Sequence, residues 1–224
     1  FSDERPDLFS RLMLASMPQR RSKQSPWPKI GSPTEARILE KLRRFEDSPA
    51  HLLLTDSSKW VMYFHRTPGY WIRMLDFLPF FESPAGDRSV HHIRELYATS
   101  EAARAEIAGL GSSSLYFWWF FAIGNCRNLT KGDLLGFPAP RLDAGGAVEI
   151  VRIFNELMKS YKDNSSVKSR AKARYQEFDW VAAKPSVDAM DEFFAKVFGL
   201  TDEELDFVIN YDIKVRVGDV AEGI

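Results

Sequence analysis

The chain of 224 residues contains one cysteine, almost no net charge and no long hydrophobic run. Cys126 alone cannot form an internal disulfide, and no set of cysteines and histidines has the spacing of a zinc site. A formal net charge of -1 excludes a uniformly basic nucleic-acid binder, but it is compatible with a local basic surface. The longest apolar run, Leu115 to Ile123, is far shorter than a membrane span. We therefore expect a protein of the reducing cytoplasm, with no membrane partner and no metal site.

The common catalytic motifs are also missing. The sequence has no phosphate-binding P-loop, no dinucleotide-binding glycine spacing, no nucleophile elbow and no Asn-Pro-Pro-aromatic loop of amino-methyltransferases. We therefore expect no enzymatic activity and no bound cofactor in this chain by itself.

One weak trace of a metal-dependent nuclease is present near the C-terminus. Asp212 and Lys214 form an Asp-x-Lys arrangement, of the kind that holds magnesium and orients water in such enzymes. Four acidic residues precede it: Asp202, Glu203, Glu204 and Asp206. The alternative is the acidic first turn of a helix, which the helix dipole favours, followed by a short strand. Because Asp-x-Lys is common by chance, the second interpretation is preferred.

Capping residues and apolar spacing predict several helices. Ser32, followed by Pro33 and Glu35, has the pattern of a helix N-terminus, and Ser100 begins another helix. A long amphipathic helix follows the segment "FPAP", with Val148 among the residues on or near its apolar face. Two more helices close the chain: Gly199 ends the first, and Thr201 with Glu204 forms a capping box for the second.

Short apolar runs broken by turn residues predict strands between the first two helices. They are "HLLLTD", "WVMYFHR", "GYWIRMLDF" and "VHHIRELYAT". The order is therefore a helix, mixed strands, two helices, a long helix and a helical tail. This order predicts an α+β fold, in which a mixed strand block and helices are followed by a helical C-terminal part.

In the middle of the chain, a strongly aromatic segment is followed directly by a polar turn, in the stretch "GSSSLYFWWFFAIGNCRNLTKGDLLGFPAP". Aromatic residues at 116–121 surround the helix that Ser112 or Ser113 begins, and a helix that is apolar on every side is typically buried. The alternative is a platform on which nucleic-acid bases stack. Burial is favoured, because exposed aromatic residues on this scale promote aggregation.

The polar turn that follows this helix carries side chains that commonly contact DNA. Arg127 and Asn128 are candidates for reading base edges, while Thr130 and Lys131 are candidates for phosphate contacts. The alternative is a turn that caps the next short helix, with Thr130 as its N-cap and Asp133 in its first turn. The two roles are compatible with each other.

Further basic residues are candidates for DNA contact elsewhere in the chain. In the strand block they are His65, Arg66 and Arg73. Two basic patches flank the core, and their residues are Arg20, Arg21, Lys23, Lys168, Arg170, Lys172 and Arg174. We expect the patches to contact phosphates, on one common face.

The polar turn and its surroundings resemble a known family. The segment "SSSLYFWWFFAIGNCRNLTKGDLLGFPAP" is similar to the TaqI-like C-terminal specificity domain, or target-recognition domain, of type II restriction–modification adenine-specific DNA methyltransferases. The segments "YFHRTPGYWIRMLDFLPFF" and "HHIRELYATSEAARAEIAGLGSSS" look like the preceding part of that domain, and "DEFFAKVFGLTDEELDFVINYDIKVR" looks like its end. "RPDLFSRLML" and "PWPKIGSPTEARILEKL" look like the joining segment, so the resemblance covers nearly the whole chain.

The resemblance implies a division of labour between two domains. An upstream catalytic domain would bind S-adenosylmethionine and methylate adenine N6, while this domain would bind double-stranded DNA and select the sequence. We accordingly expect residues 1–31 to be an irregular linker from that domain. Residues 32–145 would form the target-recognition core, and residues 146–224 a long helix and helical tail packed on it.

One alternative function belongs to a different class. The chain would then be a protein-interaction module whose helical tail docks a partner subunit. Binding to a protein rather than DNA, without sensitivity to salt, would favour this alternative.

Overall fold

A computed structural model describes residues 26–54, 56–84, 92–139, 141–170 and 172–213. Within these ranges it has seven α-helices and two antiparallel sheets with seven strands in all, which confirms the predicted α+β fold class. Most of the expected linker lies outside the described ranges. So do four candidate residues: Arg20, Arg21, Lys23 and Lys214.

The helices are α1 (Pro33–Arg43), α2 (Glu101–Ser112), α3 (Ser114–Ile123), α4 (Lys131–Gly136), α5 (Ala144–Asp163), α6 (Trp180–Phe198) and α7 (Asp202–Asn210). The strands are β1 (Leu53–Leu54), β2 (Val61–His65), β3 (Met74–Leu75), β4 (Phe81–Glu82), β5 (Ile93–Ala98), β6 (Ser165–Arg170) and β7 (Ala173–Phe178). A 3₁₀ turn, Pro49–Leu52, precedes β1.

Capping groups fix the helix ends largely as the sequence predicts. The Ser100 hydroxyl accepts a hydrogen bond at the start of α2, and Ser113 rather than Ser112 does so for α3. Gly199 ends α6 in the left-handed conformation, with φ of 66°. At α1 the Ser32 hydroxyl accepts from the Glu35 amide, while the Glu35 carboxylate reaches back to the Gly31 amide at 2.8 Å.

The first sheet has the strand order β1-β5-β2-β3, and all its pairs are antiparallel. The second has the order β4-β7-β6. It joins β4, which lies between two of the predicted strand runs and was not itself predicted, to the β6–β7 hairpin of the C-terminal part. The C-terminal part is thus tied to the strand block by a shared sheet, and it contains a hairpin as well as helices.

The core is built on α2, α3, α5 and α6. Helix α3 is its centre, since Tyr116, Trp118 and Phe120 are fully buried. The carboxylate of Asp191 in α6 accepts from the Ser114 amide at 2.7 Å, which satisfies one of the unpaired donors at the N-terminus of α3. The indole of Trp118 donates to Glu35 at 3.1 Å and so connects α3 to α1. The burial prediction for the aromatic helix is confirmed.

The prediction that Val148 lies on or near the apolar face of α5 is wrong. Val148 is 73% exposed, whereas Ile150 and Phe154 of the same helix are fully buried. Residues two apart on a helix point about 200° away from each other, so a face through Ile150 excludes Val148.

Among the described residues, no helix combines the length and apolarity needed to cross a membrane.

Candidate nucleic-acid interface

The polar turn after α3 is held rigid by Asn125. Its side-chain oxygen accepts hydrogen bonds from the Arg127 and Asn128 amides, both at 2.8 Å, and its side-chain nitrogen donates to the Asn128 carbonyl at 3.2 Å. Cys126 takes the left-handed conformation with φ of 60°, which turns the chain sharply. The backbone beneath the two predicted base-reading side chains is therefore fixed locally.

Both ends of this turn are anchored to the core. At one end the Gly124 amide donates to the carbonyl of Phe120, the last fully buried ring of α3, at 2.8 Å. At the other end Leu129 is buried, and its amide donates to the Arg66 carbonyl at 2.7 Å. The turn is consequently placed beside the end of β2, where His65 and Arg66 lie.

Directly after the turn, a capping box begins helix α4. The Thr130 hydroxyl accepts from the Asp133 amide, and the Asp133 carboxylate accepts from the Thr130 amide, at 3.2 and 2.8 Å. The predicted capping role of Thr130 is confirmed. Since its hydroxyl also donates to that carboxylate at 2.6 Å, Thr130 is less suited to bind a phosphate than its neighbour Lys131.

Four polar side chains around the turn have no partner among the residues that the structure describes. Arg66, Arg127 and Lys131 are exposed, and Asn128 is half-buried. Within the described part of the chain, none of these side chains makes a hydrogen bond or an ion pair. Three positive charges and one amide are therefore available to a ligand on one edge of the molecule.

Arg73 lies on the other side of the end of β2, in a cavity of about 670 Å³ between the two sheets. Its guanidinium packs over the rings of Trp180 and Phe178, at 4.6 and 5.2 Å from their centroids. Trp180 is itself stacked on Trp71, with centroids 4.4 Å apart. Burial lowers the pKa of Arg73, yet an arginine stays charged in proteins.

The basic hairpin does not present its four cations on one surface. The strand register puts Lys168 and Arg170 on one face, while Arg174 lies on the other and pairs with Glu82 at 2.8 Å. Lys168 lies 3.9 Å from Glu177. Arg170 and Lys172, near the tip, are exposed and make no ion pair with described residues. The expectation of one common face is therefore wrong for Arg174.

The structure adds residues that sequence reasoning missed. Asn125 is one of them, although an Asn side chain that bonds the backbone two residues later is a known turn signal. His92 lines the cavity together with His65. Trp71 and Trp180 support Arg73 from segments more than 100 residues apart in the sequence, and no local pattern could have paired them.

Two acidic residues of α7, Glu203 and Glu204, have structural roles. Glu204 is buried, accepts from the Lys41 ammonium at 2.6 Å and closes a capping box with Thr201. Glu203 pairs with Arg37 at 3.1 Å. Nowhere in the described ranges do three or more His, Cys, Asp or Glu side chains form a group that could hold a metal ion.

Comparisons of this chain with protein-family models, with curated proteins and with solved structures found no match.

Proposed function

We propose that this chain is the DNA sequence-recognition domain of a site-specific adenine-N6 DNA methyltransferase or combined restriction–modification enzyme. Its partner is double-stranded DNA. Methyl transfer and S-adenosylmethionine binding are assigned to a catalytic domain of the same enzyme, and the site of action to the cytoplasm. The observation that carries the proposal is the rigid turn with Arg127 and Asn128, whose side chains have no partner in the described part of the chain.

Rigidity is what sequence readout requires of such a turn. A bidentate contact from an Arg to guanine, or from an Asn to adenine, discriminates bases only if the donor atoms are held in place. The bonds from Asn125, together with the anchors at Phe120 and Arg66, limit the backbone movement that would blur this discrimination.

Nearby cations support phosphate binding beside the same turn. Lys131 follows it directly and Arg66 is joined to it through the Leu129 amide. Both are exposed, and a phosphate can approach them without first breaking an ion pair within the described residues. Arg170 and Lys172 at the hairpin tip offer a second pair of phosphate contacts.

The test is a fluorescence anisotropy titration of the chain against a labelled duplex at several salt concentrations. We expect weak binding with a steep salt dependence, because each phosphate contact adds about 0.9 to the logarithmic slope. Lys131→Ala should reduce the slope by about one unit. Lys184→Ala is the matched control, since that lysine is bound to Asp188 at 2.7 Å on α6. Binding that does not respond to salt would favour the protein-interaction alternative.

A further inference from the structure

The cavity between the two sheets is lined by histidines on one part of its wall and by aromatic residues on another. The ends of β2 and β5 contribute His65 and His92, while β4 and β7 contribute Phe81 and Tyr175. Its volume of about 670 Å³ falls within the range of small-molecule binding pockets and greatly exceeds the space that a single phosphate needs.

Two aromatic residues and one lysine form a row across the second sheet. Phe81 is the register partner of Tyr175, and Tyr175 is the register partner of Lys168. Directly opposed residues point to the same face of a sheet, so the two rings are neighbours on one surface with the ammonium at its edge. Sheet surfaces on which adjacent aromatic residues lie beside basic ones bind unpaired bases by stacking.

Arg73 also lines the cavity and supplies a positive charge. The Arg73 guanidinium is supported by Trp180 and Phe178 and has no hydrogen-bond or ion-pair partner among the described residues. Glu177, the acidic residue among the described residues that line the cavity, lies near Lys168 at 3.9 Å. A guanidinium fixed by stacking, and without a carboxylate partner in these ranges, is suited to bind a phosphate.

We propose that this cavity binds one unstacked nucleotide of the bound DNA. The base stacks on Tyr175, beside Phe81, and its phosphate lies against Arg73. A whole nucleotide explains both the size of the cavity and its aromatic wall, whereas a phosphate alone would explain only Arg73. This inference rests on the proposed DNA-binding function and adds to it that the domain holds one nucleotide outside the duplex stack.

The test compares two labelled duplexes that differ by one unpaired, bulged nucleotide. The wild-type chain should bind the bulged duplex at least about five-fold more tightly, since stacking of one base on an aromatic side chain supplies this much. Tyr175→Leu, which keeps apolar bulk, should remove this preference while the affinity for the paired duplex changes little. Phe80→Leu is the matched control, because Phe80 is exposed, precedes Phe81 directly and packs against Arg174 instead.

Each outcome separates the cavity from the rest of the proposal. A wild type that binds both duplexes equally, or a Tyr175→Leu variant that keeps the preference, would overturn the nucleotide site and leave DNA binding intact. A wild type that binds neither duplex would overturn both.

Thermal melting of each variant shows whether a lost preference reflects unfolding. The variant Arg73→Lys gives an independent check. It keeps the charge but loses the planar stack, so we expect weaker binding of the bulged duplex at an unchanged melting temperature.

Discussion

The Asn125 side chain shapes the polar turn of the candidate interface. Three hydrogen bonds from one side chain define the turn that carries Arg127 and Asn128. The sequence allowed the correct prediction that Thr130 is a helix cap, because capping depends on residues three positions apart. It did not reveal the role of Asn125 or the place of Arg73, because these depend on the left-handed Cys126 and on rings from distant segments.

The proposed base-reading pair, Arg127 and Asn128, and the proposed phosphate contact, Lys131, should respond differently to substitution. Losing a bidentate base contact through Arg127→Ala or Asn128→Ala should cost about 1–3 kcal/mol and relax specificity at one base pair. Lys131→Ala should weaken binding to all sequences alike. The measurement is the affinity of each variant for the preferred site and for sites altered at single positions. Unchanged specificity profiles in folded variants would mean that the turn serves only as a helix cap.

Glu106 provides a separate test of the packing around α2. Burial raises the pKa of this carboxyl to about 7 from an ordinary value of 4.5. The folded state therefore holds its proton more strongly than the unfolded state, and stability falls as the pH rises from about 4.5 to about 7. Glu106→Gln should stabilise the protein by about 2–3 kcal/mol at pH 8 and change little at pH 4.

Chemical denaturation at the two pH values measures this difference. Glu149→Gln, at an exposed position of α5, is the control and should have almost no effect at either pH. An equal effect of Glu106→Gln at both pH values would show that the charge of this carboxyl is not what burial penalises.

Helix α3 is a buried support for the turn, and its substitution should act on stability. Trp119 is 5% exposed and packs against the rings of Tyr116 and Phe137. Trp119→Ala should lower the free energy of unfolding by about 3–5 kcal/mol, because it leaves a large cavity in the core. Trp27→Ala should cost much less, since Trp27 is 58% exposed.

Thermal melting and DNA titration together decide between the two roles of the aromatic helix. A Trp119→Ala variant that keeps its melting temperature but no longer binds DNA would mean that the ring contacts bases directly. That result would contradict the buried position of α3.

Helices could be predicted better than strands. Local signals such as Ser100, Thr201 and Gly199 mark helix ends within a few residues, and the structure confirms them. The β6–β7 hairpin has mostly exposed polar residues, so hydrophobic periodicity does not mark it. Its stability comes partly from pairing with β4, about 90 residues earlier in the chain, which a local pattern cannot show.

At the scale of the whole molecule, charge is distributed rather than concentrated. The formal net charge is -1, and several surface cations are neutralised by ion pairs, as Arg174 is by Glu82. The candidate interface therefore depends on a few cations that have no ion pair within the described ranges and lie beside a hydrogen-bonded turn. This arrangement suits a domain that selects a sequence while other parts of an enzyme contribute to the affinity.

The central claim is that this chain recognises a DNA sequence, and selection from a random duplex library tests it most directly. The immobilised chain is incubated with the library at low salt, and bound duplexes are amplified and sequenced over several rounds. We predict that the wild type enriches one short motif, and that the Arg127→Ala, Asn128→Ala double variant relaxes it at defined positions while remaining folded. Recovery of duplexes with no common motif by the wild type, or of the same motif by the double variant, would contradict sequence recognition by this turn.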